Sequence, residues 1–507
     1  MNSARFLKFS LFIVLLASPT GVFAQNAGPG SAQSSGSSSG AQGGATGGSG
    51  ASQAGSSSSG MTTAPQENDQ SFRGSVPQGT ATPNPIPLSL GDAINRGLKA
   101  NLGLLANEQS SREVRAQRLR ALSGLLPQLT GQVSAVEQQL DLQTVGLVNF
   151  SGVAIPHIVG PFNYESALVN ANVPIFDYRA LSNFRASREN VKASALTVKN
   201  ARDLVVLGVG NGYLQIIADG ARIAATQAEI DADNAVYINA VHRHDAGTAI
   251  AIDVLRSQVE LKQRQQTLVA VTNQFEKDKL ALGRAIGLPP GQDFTVSDPA
   301  PSVPLTAISL ADALAKAYEH RPDFQAAKAR FLAAQFSLRA AKAERYPTAT
   351  VSGFYGAEGI GLFSNSHGVF NATGSIQFNI FDGGRIKGDI LQNDAELRNR
   401  RAEMENLRGQ IDYDVRAALL DLNSAGAQVE VATSNLDLAN QTLRQSRDRF
   451  TAGVTNTVEV VQAQQAVADA NENLISAQYQ FNVAKVSIAR ALGVAEEGVR
   501  TYFNQHP

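Results

Sequence analysis

Between Phe370 and Ile380 the chain alternates strictly. Phe370, Ala372, Gly374, Ile376, Phe378 and Ile380 interleave with Asn371, Thr373, Ser375, Gln377 and Asn379. A side-chain period of two predicts a strand with one apolar and one polar face, and a run of about 10 residues suits a tilted membrane strand. Ala349, Val351, Gly353 and Tyr355, set against Thr348, Thr350 and Ser352, predict its partner. Ala167, Val169, Ala171, Val173 and Ile175 repeat the pattern earlier in the chain, and Leu129 to Ala135 repeats it more weakly. The expected strands are 128–138, 166–176, 347–357 and 369–380. Short alternating strands fit a soluble sandwich as well as a membrane barrel.

Elsewhere the period is helical. Val460, Val467, Leu474, Phe481 and Ile488 stand seven apart, with Ala463, Ala470, Ala477, Ala484 and Ala491 three after each. This is an a/d heptad of a coiled coil, in which alanine lets backbones approach while the large residues fill facing holes. Val254, Leu261, Leu268, Phe275 and Leu282 keep the large series in an earlier helix. Its second series, Ser257, Arg264, Val271, Asp278 and Ala285, predicts looser or wetter packing. No proline interrupts Ile175 to Leu288 or Thr348 to His506. A continuous helix from Arg385 to Phe450 would run roughly 100 Å at 1.5 Å per residue, several times a globular core. Long helices are expected at 180–245, 252–287, 384–450 and 457–492.

These elements recur in order. Leu88-Ser89-Leu90-Gly91-Asp92-Ala93 returns as Ile308-Ser309-Leu310-Ala311-Asp312-Ala313, Pro127 as Pro347, Ile175-Phe176-Asp177 as Ile380-Phe381-Asp382, and Ala246-Gly247 as Ala452-Gly453. A period of about 210 residues is too long for a solenoid and indicates a duplicated domain, here 86–300 and 301–503. The first copy carries an insertion, Leu142 to Tyr164, that reads as a longer loop. At the N-terminus, Arg5 and Lys8 precede an apolar run from Phe9 to Ala17, then Pro19, Gly21 and Val22-Phe23-Ala24. That is a secretory signal peptide, 1–24. Residues 25–85 follow, rich in Gly, Ser, Ala and Gln and free of charge until Glu67, and read as a disordered linker.

Composition removes other functions. The 507 residues carry 43 Lys+Arg and 44 Asp+Glu, a balance that argues against nucleic acid as a partner. The absence of cysteine excludes thiolate metal sites, disulfides, cysteine nucleophiles and a lipidated N-terminal cysteine. His242-Arg243-His244 places its histidines on different sides of a helix and reads as solvated. Asp231-Ala232-Asp233-Asn234 lacks the glycine and closing glutamate of a calcium loop. No P-loop or catalytic constellation stands out, so no enzyme, catalytic residue, cofactor or metal is expected.

Four strands cannot close a barrel, and an open sheet edge in hydrocarbon leaves backbone groups unsatisfied. Two chains would give eight strands with a filled interior; three would give twelve and a lumen. If the strands enter a membrane, polar inward faces such as Asn371, Thr373, Gln377 and Asn379 suit water inside and favour three chains. The expected fold is then an α+β membrane protein: long antiparallel coiled-coil helices plus four transmembrane β-strands per chain, completing a trimeric twelve-stranded β-barrel continued by an α-helical tunnel.

The duplicated Leu-Ser-Leu start, the helix ending in Leu125-Leu126-Pro127, Phe381-Asp382-Gly383-Gly384, and the Ala-Gly turn before Val458-Glu459-Val460-Val461 together resemble the TolC-like outer-membrane efflux family. The resemblance runs from about Leu88 to Phe503. It implies an outer-membrane channel that is a homotrimer embedded in outer-membrane lipid, conducting passively from an inner-membrane transporter and a periplasmic adaptor (membrane fusion) protein. The outer-membrane component of type I protein secretion is the alternative within the family, and a periplasmic adaptor or coiled-coil scaffold the alternative outside it. The resemblance also puts the adaptor-docking turns at Ala246-Gly247-Thr248 and Ala452-Gly453-Val454, and acids of the periplasmic mouth at Asp253 and Glu459. A helix dipole would by itself favour an acid at both places. The family's second acidic position falls on Gln462, and its latching tyrosine and arginine on Phe450 and Thr455, so closure is expected to rely more on packing.

Overall fold

A computed structural model of the chain describes residues 72–145, 149–150, 153–154, 156–298, 308–360, 365–452, 454–455 and 457–502. The expected signal peptide and most of the expected linker lie outside the described residues. Two passes through one series of elements follow. The first comprises β1 (Ile86–Leu88), α1 (Leu90–Ala100), α2 (Leu102–Ser123), β2 (Gln128–Asp141), the short strands β3 (Asn149–Phe150) and β4 (Val153–Ala154), β5 (Ile158–Phe176), α3 (Tyr178–Asp245), α4 (Ala251–Ala285) and β6 (Phe294–Val296). The second comprises α5 (Leu310–His320), α6 (Pro322–Ala343), β7 (Thr348–Gly359), β8 (Ser366–Gln377), α7 (Arg385–Thr451), α8 (Thr457–Ala491) and α9 (Ala495–Tyr502).

The repeated sequence motifs turn out to be helix starts. Ser89 accepts a hydrogen bond from the Asp92 backbone N–H at 3.1 Å, and Ser309 accepts one from Asp312 at 3.2 Å. Each thereby satisfies a donor that the first turn leaves open. The Phe-Asp pairs serve the long helices in the same way. Asp177 accepts from the Ala180 N–H at 2.8 Å; Asp382 accepts from Gly384 at 3.0 Å and Ile386 at 2.8 Å. Gly383 and Gly384 both take positive φ at this corner, +65° and +92°, which side chains rarely tolerate. The corner also shortens the strand expected at 369–380. β8 stops at Gln377, and Phe378, Ile380 and Phe381 leave the sheet for solvent.

Antiparallel pairing orders the main sheet β2-β5-β7-β8. Gly131, Val169, Tyr355 and Phe370 form one row across it, and the apolar face so made is exposed: Tyr355 at 72%, Phe370 at 79%. Its two edges, β2 and β8, have no strand partner among the described residues. β5 starts at Ile158, well inside the expected loop from Leu142 to Tyr164, and pairs as far as Asp141 across a register shift between Gln138 and Leu140. Backbone pairing continues there although Gly160 and Pro161 break the alternation that marks a strand in sequence.

A belt of small elements holds the long helices together. Leu88, Ile94, Val205, Val209, Tyr213 and Ile286 share one buried cluster, and the Tyr213 hydroxyl donates to the Leu88 carbonyl at 2.9 Å. Ile411, Val415, Ile488 and Leu492 make the corresponding cluster of the second copy with Ala313 and Phe324. Within the second copy Arg321 is buried and bonds Asp323 at 2.7 Å and Asp414 at 2.8 Å, and Arg490 crosses to Asn200 of the first copy at 2.7 Å. α3 and α7 run through the belt; α2 and α6 pack beside them on one side of it, as Ser111–Ser194 and Arg330–Thr197 contacts show. On the other side α4 and α8 return antiparallel to them.

Residues 72–85 depart from the expected disorder. Phe72 lies against Gly103, the Asn101 amide donates to the Phe72 carbonyl at 2.6 Å, and Val76 donates to Ala100 at 2.9 Å. Thr82 bonds Gln292 at 2.7 Å. Phe72 and Val76 give this stretch the apolar anchors that the Gly/Ser run before it lacks.

Candidate channel wall and mouth

Beyond the belt four helices lie in a row, α4 beside α3, α3 beside α8, and α8 beside α7. They form two hairpins, each with a seam of seven-residue spacing. In α7–α8 the seam is small: Ala418, Ala425, Ala432, Ala439 and Ser446 are buried on α7, as are Ala463, Ala470, Ala477, Ala484 and Ala491 on α8. The α7 series stands in the sequence at the same seven-residue spacing, a second signal of the seam beside the α8 heptad.

The first hairpin keeps the spacing and changes the chemistry. Asp219, Thr226, Asp233 and Ala240 are buried on α3. Arg264 of α4 lies 3.5 Å from Glu229 and 3.8 Å from Asp233. Burial pushes the Glu229 and Asp233 carboxyls above their ordinary range, and Arg264 draws both back down. Arg264 also bonds Gln465 of α8, and Arg222 bridges Asp219 and Glu472 at 2.9 Å each. A cavity of 320 Å³ opens beside these layers, lined among others by Glu229, Asp233, Glu260, Arg264, Arg447 and Gln464.

At the end of the hairpins, α3 stops in a tight turn. Ala246 caps it, bonding His242, while Gly247 bonds His244 at 2.8 Å with φ +72°. The Thr248 N–H and hydroxyl both reach the Arg243 carbonyl, at 2.8 and 3.0 Å. Glycine at that φ is what a left-handed exit from a helix requires. In the second hairpin Ala452 bonds Asp448 and Val454 bonds Arg449, each at 3.0 Å. Gly453 lies outside the described residues.

Asp253 and Glu459 both sit in the first turn of a returning helix. Asp253 faces Arg256 at 3.4 Å. Glu459 accepts from the Ser446 hydroxyl at 3.4 Å and from Thr455, and pairs with Arg449 at 3.6 Å. Thr455 thus serves the acid of its own hairpin. Gln462 is exposed one turn further on. Phe450 receives the Arg243 guanidinium 4.4 Å from its ring centre, which joins the two hairpins. Sequence reasoning passed over Arg243 as one of a solvated basic triplet; an arginine and an aromatic beside the two equivalent turns was the available signal.

The outer membrane efflux protein family model matches residues 93–288 and 313–494, one match for each copy. The chain belongs to the outer membrane efflux protein family. The toluene efflux pump outer membrane protein TtgF of Pseudomonas putida is 28% identical over 386 residues, covering 73% of this chain and 76% of its own. Outer membrane protein OprJ of Pseudomonas aeruginosa is 28% identical over 418 residues, 79% of this chain and 81% of its own. The crystal structure of VceC from Vibrio cholerae superposes with a TM-score of 0.69 at 18% identity, covering 80% of this chain and 96% of that one. The efflux family is one of channels rather than enzymes. This member, mostly helical as its structural neighbours are, is an efflux channel of the outer membrane.

Proposed function

We propose that three copies of this efflux-family chain close a twelve-stranded barrel in the outer membrane, continued by an α-helical tunnel into the periplasm, and that this duct passively takes substrates from an inner-membrane transporter through a periplasmic adaptor. The observation that carries the proposal is that both layers end in free flanks. Among the described residues the sheet leaves the outer edges of β2 and β8 without a partner strand. The helical row ends in α4 and α7, and each exposes apolar side chains: Ile252, Leu255, Val259 and Val269 on α4, Leu420, Val431 and Leu438 on α7. Unlike flanks at opposite ends of one layer pair head to tail, and such pairing closes into a ring. Hydrocarbon around the strands makes closure obligatory, because unpaired backbone groups are costly there. Polar side chains such as Asn371 and Thr373 then suit a water-filled lumen.

In this reading the chain is exported by a cleaved signal peptide and, lacking cysteine, carries no lipid there. The Ala246-Gly247-Thr248 and Ala452-Gly453-Val454 turns dock the adaptor. Asp253, Glu459, Gln462, Phe450 and Thr455 surround the mouth, where six carboxylates from three chains favour cations. Light scattering of the protein extracted from outer membranes is the test. A protein mass of three chains after subtraction of detergent is expected, and a soluble periplasmic monomer overturns the proposal. For the mouth, Asp253→Asn combined with Glu459→Gln should lower the cation preference of single channels. Unchanged selectivity would reduce both acids to partners of Arg256 and Arg449.

A further inference from the structure

In the α3–α4 seam two acids meet. Asp219 of α3 is 3% exposed and has the Asp278 carboxylate of α4 within hydrogen-bonding reach. The donors around them are accounted for. The Gln215 amide and the Arg222 guanidinium both bond Asp219 through Oδ1, at 2.9 Å each. Gln274 donates to Asp278 Oδ2 at 2.9 Å. Asp219 Oδ2 is buried and receives no N–H or O–H at all. The remaining ionisable groups facing it come from α8: Glu472, which Arg222 also holds, and Tyr479.

A bare carboxylate oxygen buried against a second carboxylate is repelled by it and has no donor to replace water. A single proton removes both difficulties, because one acid then donates to the other. We propose that Asp219 and Asp278 share one proton at neutral pH, and that the resulting carboxylic acid–carboxylate hydrogen bond closes the α3–α4 seam and weakens when the proton is lost. Burial, with the neighbouring Asp278 adding to it, pushes the Asp219 carboxyl above its ordinary range, in keeping with the geometry. The second copy has Ala425 and Ala484 at the matching positions, so the proton site belongs to the first hairpin alone.

Infrared spectroscopy of the full-length protein in detergent at about pH 7.5, above the ordinary carboxylate range, reads the proton directly. The wild type should show a protonated-carboxyl stretch that disappears in both Asp278→Asn and Asp219→Asn, where an amide N–H takes over the donor role. Thermal unfolding supplies a second measure. A group whose folded pKa is raised adds stability that is complete below its unfolded value and is lost as pH rises through the folded one. The wild type should therefore lose stability on going from mildly acidic to alkaline buffer relative to Asp278→Asn. Asp278→Ala, which has no donor, removes the acid pair without restoring the bond and should unfold lower than Asp278→Asn. Equal carboxyl bands in wild type and both asparagine variants would overturn the proposal. A band shift on adding sodium or calcium, with no protonated stretch, would assign the gap to a cation instead and overturn it equally.

Discussion

The two hairpins share length and register and differ in what lies between their helices. Ala425, Ala432 and Ala439 line α7; Asp219, Thr226 and Asp233 occupy the matching places on α3. On the returning helices Ala470 and Ala484 match Arg264 and Asp278. An alanine seam holds by close approach and asks only for shape. A polar seam gains little from burial, because desolvation offsets the attraction, and holds only where each charge meets its partner. One fold therefore fixes the same register twice, once through volume and once through charge. The polar seam is also the one that reaches across the row, since Arg222 and Arg264 bond α8 as well as their own hairpin.

The sharpest way to break the comparison is to remove Arg264. Arg264→Met leaves Glu229 and Asp233 without their nearest cation in a buried layer, and should cost about 3–5 kcal/mol of stability. Ala470→Met, its counterpart in the alanine seam, should cost about 1–3 kcal/mol through overpacking. Thermal unfolding of the two variants should thus separate them. Replacing Glu229, Asp233 and Arg264 together by alanine should recover most of the first loss, since the second copy shows that the register needs no charge.

Asp203, in the belt, carries the contrast further, for the second copy has Gly409 at that position. Burial pushes the Asp203 carboxyl up to about 6, against the pull of Arg490 and Lys199. An acid that binds its proton more tightly when folded stabilises the fold below an unfolded pKa of about 4, and that stability is lost as pH rises through about 6. The loss should be on the order of 3 kcal/mol, at about 1.4 kcal/mol for each tenfold gain in proton affinity on folding. Asp203→Asn should flatten the pH profile of unfolding between those limits; an unchanged profile would show that Arg490 keeps the carboxylate charged throughout.

How much of this was legible follows from which signals are periodic. The heptad of α8, the alternation of β8 and the duplicated motifs each repeat, and they located the long helices and most of the strands. What escaped was set by single contacts. The pairing of β5 back to Ile158 depends on backbone bonds that leave no side-chain pattern. The end of β8 at Gln377 depends on Asp382 capping α7 beyond a pair of left-handed glycines. The polar series Arg264 and Asp278 was visible, and its looser packing expected, but its acidic partners on α3 lie some distance away in sequence. The candidate mouth was reached through resemblance, and the structure adds the partners of each acid there.

Volume provides a smaller test of the same contrast. Ala432→Leu inserts a branched side chain where α7 meets α8 and should cost about 1–3 kcal/mol. Thr226→Leu, at the matching place on α3, removes a hydroxyl that already bonds the Arg222 carbonyl at 2.9 Å within its own helix. The layers around Thr226 hold charged side chains in place of alanines, so the added volume should be accommodated at under about 1.5 kcal/mol. Equal losses in thermal unfolding would mean that the polar seam is packed as tightly as the alanine one.

At the candidate mouth the difference narrows to one arginine in each copy. Arg243 and Arg449 occupy the same place before the two turns. Arg449 pairs with the acid of its own hairpin, Glu459, whereas Arg243 crosses to the Phe450 ring and leaves Asp253 to Arg256. A cation over an aromatic face at an exposed site contributes about 0.5–1 kcal/mol. Phe450→Leu keeps an apolar side chain and loses that attraction, so an equilibrium between joined and parted hairpins should shift by about two- to five-fold. In planar bilayers the variant should dwell correspondingly longer at high conductance, while Phe450→Tyr, which retains the ring, should match the wild type. If both variants match it, the hairpins are held together by the polar layers further along α3, and Arg243 covers the ring without restraining it.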